Sequence, residues 1–113
     1  MSNFTIVQDV ELKQFPSTRE FIGEDFATGV CFILVEMPPG DGVRLHRHAY
    51  DEIFIVQEGS ATYRVGEQTL EVEAPQTLIV RAGVAHAFTN TGSAQLKQVD
   101  IHLSPRFITE WLE

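Results

Sequence analysis

The chain has 113 residues, 43% of them hydrophobic and 21% charged, and carries a net charge of −8 from 8 Lys and Arg against 16 Asp and Glu. Such a length and composition describe one globular domain, 1–113, able to remove about two thirds of its unfolded surface from water. The acidic balance excludes nucleic acid and anionic membrane as partners, since both need clustered Lys and Arg to replace counterions.

In chain order, residues 1–15 mix Asp9, Glu11 and Lys13 with scattered apolar side chains and lack the unbroken hydrophobic centre of a signal peptide, so a cytoplasmic location is expected. The longest apolar run, VCFILV at 30–35, is far shorter than the roughly 20 residues a membrane-spanning helix needs. Cys31 lies inside it. As the only cysteine it forms no intrachain disulfide, and it reads as a small buried hydrophobe because apolar burial raises a thiol pKa.

Segments rich in Val, Ile, Phe and Thr predict strands over 30–36, 52–57, 60–65, 68–73, 77–81, 85–91 and 96–103. Glycine-centred turns join them: GEQ at 66–68 between two alternating runs, and EGS at 58–60. The chain reads as all-β. So many short strands in one small domain bury their edges by closing into a barrel or by stacking as two sheets in a jelly roll. The tail SPRFITEWLE, 104–113, breaks the pattern. Ser104 and Pro105 look like an N-cap and first helical residue, and Phe107, Ile108, Trp111 and Leu112 then recur at helical spacing. That predicts a short C-terminal helix packed on the barrel or on a second subunit.

Residues able to carry chemistry gather in GDGVRLHRHAYDEIFIVQEG, 40–59. Alternation along a strand puts His46 and His48 on one side with Cα atoms about 6.5 to 7 Å apart, close enough for two imidazoles to hold one ion. Glu52 opens the next strand, where a tight bend can return its carboxylate beside them, whereas Asp51 has the opposite parity and points away. A second segment, RAGVAHAFTN at 81–90, adds His86 after a turn at Gly83, with Phe88 and Asn90 on the same face.

The spacing from Gly40 through His46-Arg47-His48 and Glu52 to Gly59 resembles the first motif of the cupin superfamily, and Gly83, His86 and Asn90 resemble the later half of its second. Arg81 stands where that motif expects Pro, and Pro75 where it expects the opening Gly. The resemblance implies a jelly-roll β-barrel, also called a double-stranded β-helix, holding one divalent transition metal on His46, His48, Glu52 and His86. It also implies a homodimer, with which the apolar Phe4-Ile6 start and the Trp111 tail agree. Imidazole ligands suit Fe, Mn, Co, Ni, Cu and Zn alike, so ligand type leaves the metal unnamed.

If Glu52 faces inward, Phe54 and Val56 share its wall, Phe88 joins from the His86 strand, and Tyr63 is a further pocket candidate. In QVDIHL, 98–103, Gln98, Asp100 and His102 alternate with Val99, Ile101 and Leu103, and the ordinary arrangement turns the polar set outward. Turned inward, Asp100 and His102 would make a proton-transfer pair, the carboxylate orienting the imidazole. The leading expectation is a small metal-dependent cupin enzyme on a small organic substrate, dioxygenase-like or isomerase-like. The alternatives are a non-catalytic small-molecule or metal-binding module and a structural subunit whose metal ties strands together.

Overall fold

The computed structural model describes residues 3–113. Among them the strands are β1 (Lys13–Gln14), β2 (Thr18–Phe21), β3 (Cys31–Met37), β4 (Gly42–Arg47), β5 (Glu52–Glu58), β6 (Ser60–Val65), β7 (Gln68–Glu73), β8 (Thr77–Val80), β9 (His86–Thr89), β10 (Leu96–His102) and β11 (Glu110–Trp111). Short 3-10 turns occur at Asp9–Glu11 and Gly23–Phe26. Two antiparallel sheets result, ordered β1-β2-β3-β10-β5-β8 and β11-β4-β9-β6-β7. From β3 to β6 and again from β7 to β11 successive strands alternate between the sheets, which is the jelly-roll, double-stranded β-helix architecture.

The alternation of period two explains the core. Along β5, Glu52, Phe54 and Val56 are buried and Ile53 and Ile55 are half-buried, as the residue pattern predicts. Their inward side chains meet Val35, Tyr63, Val80, Phe88 and Leu96 in one apolar cluster between the sheets. Burying a Phe or Val side chain there contributes about 1.5–3 kcal/mol. Cys31 is fully buried, and burial pushes its thiol up, in line with its expected packing role. Gly59, at φ +78, turns the chain from β5 in one sheet to β6 in the other; a Cβ there would lie 2.6 Å from the Gln95 carbonyl oxygen. The predicted hairpin at 66–68 is present, with Val65 opposite Gln68.

Two elements depart from expectation. β4 carries GVRLHR, in which Val43 and Leu45 are half-buried and His46 is buried, so no run of apolar residues marks it as a strand in the sequence. The predicted C-terminal helix does not form. Ser104 Oγ donates to the Arg106 carbonyl instead of capping a helix, and the tail runs extended so that β11 pairs antiparallel with β4, Glu110 opposite Arg47 and Trp111 opposite His46. A ten-residue helix is marginal by itself, whereas the edge of β4 presents unpaired main-chain groups that the tail satisfies. Arg47 reinforces the pairing by donating Nε and Nη2 to the Glu110 carboxylate at 2.8 and 3.0 Å. Of the predicted apolar stripe, Phe107 packs edge-on against the His102 ring and Trp111 places one side against the His46 ring, while Ile108, Leu112 and the rest of Trp111 stay exposed.

Candidate metal centre

Sheet pairing assembles the centre. β4 and β9 run side by side with His46 opposite His86, so their rings lie 4.3 Å apart between centroids. β10 and β5 pair with His102 opposite Glu52. His48 follows the end of β4, where the loop back to β5 is short, so its ring returns beside the Glu52 carboxylate. One donor atom each from His46, His48, Glu52 and His86 lies within 4.8 Å of every other, and all four residues are buried.

The Asp51 carboxylate points away from this cluster and serves the second motif. It accepts the Ala82 amide at 2.8 Å and contacts the Arg81 guanidinium at 3.4 Å. Gly83, at φ +82, donates its amide to the His48 carbonyl at 2.7 Å. The turn ahead of His86 is therefore held to the first motif although Arg81 replaces the expected proline.

The protonation pattern favours a cation. His46, His48 and His86 each place Nδ1 at 2.7–2.9 Å from a main-chain carbonyl, those of Arg44, Ile108 and Val84. A carbonyl only accepts, so in each neutral ring Nδ1 carries the proton and Nε2 presents its lone pair inward. Nε2 of His48 and of His86 then sits 3.1 and 3.0 Å from Glu52 Oε1, acceptor facing acceptor. His48 Nε2 is buried without a hydrogen-bond partner. A divalent ion would satisfy these lone pairs and the carboxylate together, with the Nδ1 bonds fixing each ring's tautomer and orientation. Burial pushes the His46 imidazole down to about 4, which keeps it neutral and able to ligate. Burial alone would raise Glu52, but the His102 imidazole, first among the groups that act on it, holds it well below the usual carboxylate range. The donor set fits a divalent metal.

His102 is buried on the inner face and stands apart in its bonding. The Ile108 amide donates to the Tyr50 hydroxyl at 3.3 Å, leaving that hydroxyl to donate to His102 Nδ1 at 2.7 Å. His102 Nε2 touches Glu52 Oε2 at 3.0 Å without hydrogen-bond alignment. Oε2 is thus occupied and Oε1 faces the three lone pairs. Burial raises the Tyr50 phenol to about 12, so it stays a donor.

The ordinary outward arrangement of Gln98, Asp100 and His102 is overturned: all three are buried, alternating with half-buried Lys97, Val99 and Ile101. The outer face keeps its apolar residues because Val99 and Ile101 have cross-strand partners in Leu34, Phe32, Ile55 and Ile53. The predicted Asp100–His102 pair is not formed, since Asp100 accepts from Gln98 Nε2 at 2.9 Å while His102 contacts Tyr50 and Glu52. Burial, and behind it the Glu52 charge, push the Asp100 carboxyl well above its usual range.

A cavity of about 230 Å³ opens beside the cluster. Phe54 and Phe88 line it as predicted. Val56 and Tyr63 do not: they lie deeper in the core, where the Tyr63 hydroxyl donates to Gln98 Oε1. Sequence reading passed over Tyr50, Glu20 and Thr109. Tyr50 sits in the first motif between His48 and Glu52, a position that signals proximity to the centre; the other two carry no motif and arrive through β2 and the tail.

The cupin-domain sequence profile matches residues 33–102, more than half of the chain. A polyketide synthase of Streptomyces cyaneus, CurC, is 34% identical over 80 residues, covering 70% of this chain and 51% of its own length. The chain therefore spans about half the length of this curated relative. Among solved structures, an oxalate decarboxylase of Lactobacillus farciminis in complex with formate superimposes with a TM-score of 0.77 at 21% identity, over 91% of this chain and 34% of that one. A double-stranded β-helix protein of Klebsiella pneumoniae superimposes with a TM-score of 0.76 at 16% identity, over 98% and 99% of the two chains. The two-sheet fold, the gathered motif histidines and the profile match together make this chain a member of the cupin family.

Proposed function

We propose that this chain is a small metal-dependent cupin enzyme acting on a small organic substrate, with dioxygenase-like or isomerase-like chemistry. The observation that carries the reading is the set of three buried imidazoles whose Nδ1 protons are committed to main-chain carbonyls. Their Nε2 atoms and Glu52 Oε1 converge beside an open cavity. A divalent transition metal bound there supplies a Lewis acid or an electron conduit. His46, His48, His86 and Glu52 would hold it, and His102 with Tyr50 would orient Glu52 through Oε2. Phe54 and Phe88 exclude water from the cavity wall. The name of the Streptomyces relative supports a substrate of the polyketide kind, an organic molecule bearing several oxygens.

Homodimer formation and a cytoplasmic location belong to the same proposal. Pairing is supported by an apolar row, Phe21, Phe32, Ile101, Ile53 and Ile79, that crosses five strands on the outer face of the six-stranded sheet. A lone thiol in a chain that needs no disulfide supports the location. Among the described residues no helix is long and apolar enough to cross a membrane.

Elemental analysis of protein purified without added metal, beside a His86→Ala variant, tests the centre. About one transition metal per chain, lost in the variant, is the expected result. Oxygen uptake or isomer formation with catechol, enediol and β-diketone substrates then tests the enzyme. Metal bound without turnover of any of them would leave a binding module as the better reading.

A further inference from the structure

The cavity walls beyond the cluster are set by chemistry that no motif spells. Ile33, Val43, Phe54, Phe88, Phe107 and Trp111 form an apolar lining, and the polar groups among them are Thr18, Thr109, Glu20, Asp100 and the His102 imidazole. Among the described residues, none of the cavity-lining side chains is Lys or Arg. Two neighbouring cations stay outside it, although the Lys13 charge lowers Glu20 against the burial that raises it. Lys13 lies opposite Glu20 on β1 but is exposed, with its ammonium 5.6 Å from the Phe15 ring centre, and the Arg44 guanidinium lies 4.7 Å from the centre of the Trp111 ring without lining the cavity.

Charge bookkeeping then restricts what can enter. A divalent ion on three neutral imidazoles and one carboxylate leaves a net charge of about +1. A ligand delivering one negative charge neutralises it. A dianion leaves an uncompensated charge in a largely apolar site that already holds the Glu20 carboxyl, which is unfavourable away from water. Size agrees: an apolar cavity of roughly 150 Å³ holds benzene, and this one is about 230 Å³.

We propose that the cavity selects an uncharged, ring-sized organic ligand that meets the cluster as no more than a monoanion, such as a hydroxy-ketone, phenol or β-diketone. Small dicarboxylates such as oxalate are selected against. The inference rests on the metal-centre reading above and narrows its substrate class.

The test uses the full chain loaded with Co²⁺, whose visible spectrum reports the centre. Two probes are titrated: maltol, an uncharged hydroxypyranone that chelates as a monoanion, and oxalate. Each apparent affinity is divided by that probe's affinity for free Co²⁺. The expected result is a corrected preference for maltol of about ten-fold or more. Glu20→Lys places a cation in the cavity and should reverse or abolish the preference. Should like charge opposite Lys13 prevent folding, Glu20→Gln keeps the shape, and oxalate should then gain severalfold. Cobalt bound at the cluster with oxalate favoured, or a maltol preference unmoved by either Glu20 variant, overturns this inference alone. Failure of the chain to bind cobalt at His46, His48, Glu52 and His86 overturns the metal-centre reading and this inference with it.

Discussion

His46, His48 and His86 donate Nδ1 to carbonyls of the main chain, whereas His102 receives its hydrogen bond from Tyr50 and leans on the far oxygen of Glu52. The difference separates ligands from a positioning residue. Partners that orient a ligand typically contribute 10- to 100-fold in metal affinity. His102→Asn is therefore expected to weaken metal binding by about ten-fold with an unchanged far-ultraviolet spectrum, measured by competition with a chromophoric chelator. Unchanged affinity would assign His102 a packing role only. Asp100 gives a second expectation. Its folded pKa lies well above that of the unfolded chain, so the fold binds the proton more tightly and stability falls as pH rises from the unfolded value toward the folded one. Asp100→Asn removes that loss and keeps the Gln98 bond. In urea titrations of metal-free protein, the variant should match the parent near about pH 4 and exceed it near about pH 8. At this scale the four candidate ligands were legible because motif spacing and strand parity are local. The inward turn of His102 was not, since its strand alternates polar and apolar residues and either face could have been the buried one.

At the scale of elements, the C-terminal tail is part of the centre. It supplies the Ile108 carbonyl to His48, the Ile108 amide to Tyr50, and the Phe107 and Trp111 side chains to the cavity wall. A chain ending at Arg106 loses all four. It is expected to retain the two-sheet fold by circular dichroism while losing about ten-fold or more in metal affinity, and a truncated protein with parental affinity would detach the tail from the centre. Helical spacing of Phe107, Ile108, Trp111 and Leu112 gave a wrong element because local periodicity is a weak force beside an unpaired sheet edge. The glycine-bounded strands from β5 to β10 were readable since alternation and turn residues agree along them. β4 was not among the strands read from apolar pattern because Val43 and Leu45 are the only large apolar residues of its six.

At the scale of the molecule, the row from Phe21 to Ile79 carries Phe26 stacked on Phe21 at one end and an exposed Ile79 at the other, and a stable pairing there needs about 800 Å² from each partner. Light scattering should find a dimer, and Ile101→Lys, at the centre of the row, should shift it to monomer without loss of strand signal. A parent protein that stays monomeric at high concentration would remove the homodimer from the proposal. The sequence by itself determined the all-β class, the family and the four candidate metal ligands, because these are written in spacing, parity and turn chemistry over short stretches. Only the tertiary structure decided which face of β10 turns inward, where the tail lies and which charges line the cavity. Each of those depends on strands far apart in the chain competing for the same neighbours, and that competition leaves no periodic trace in any one segment.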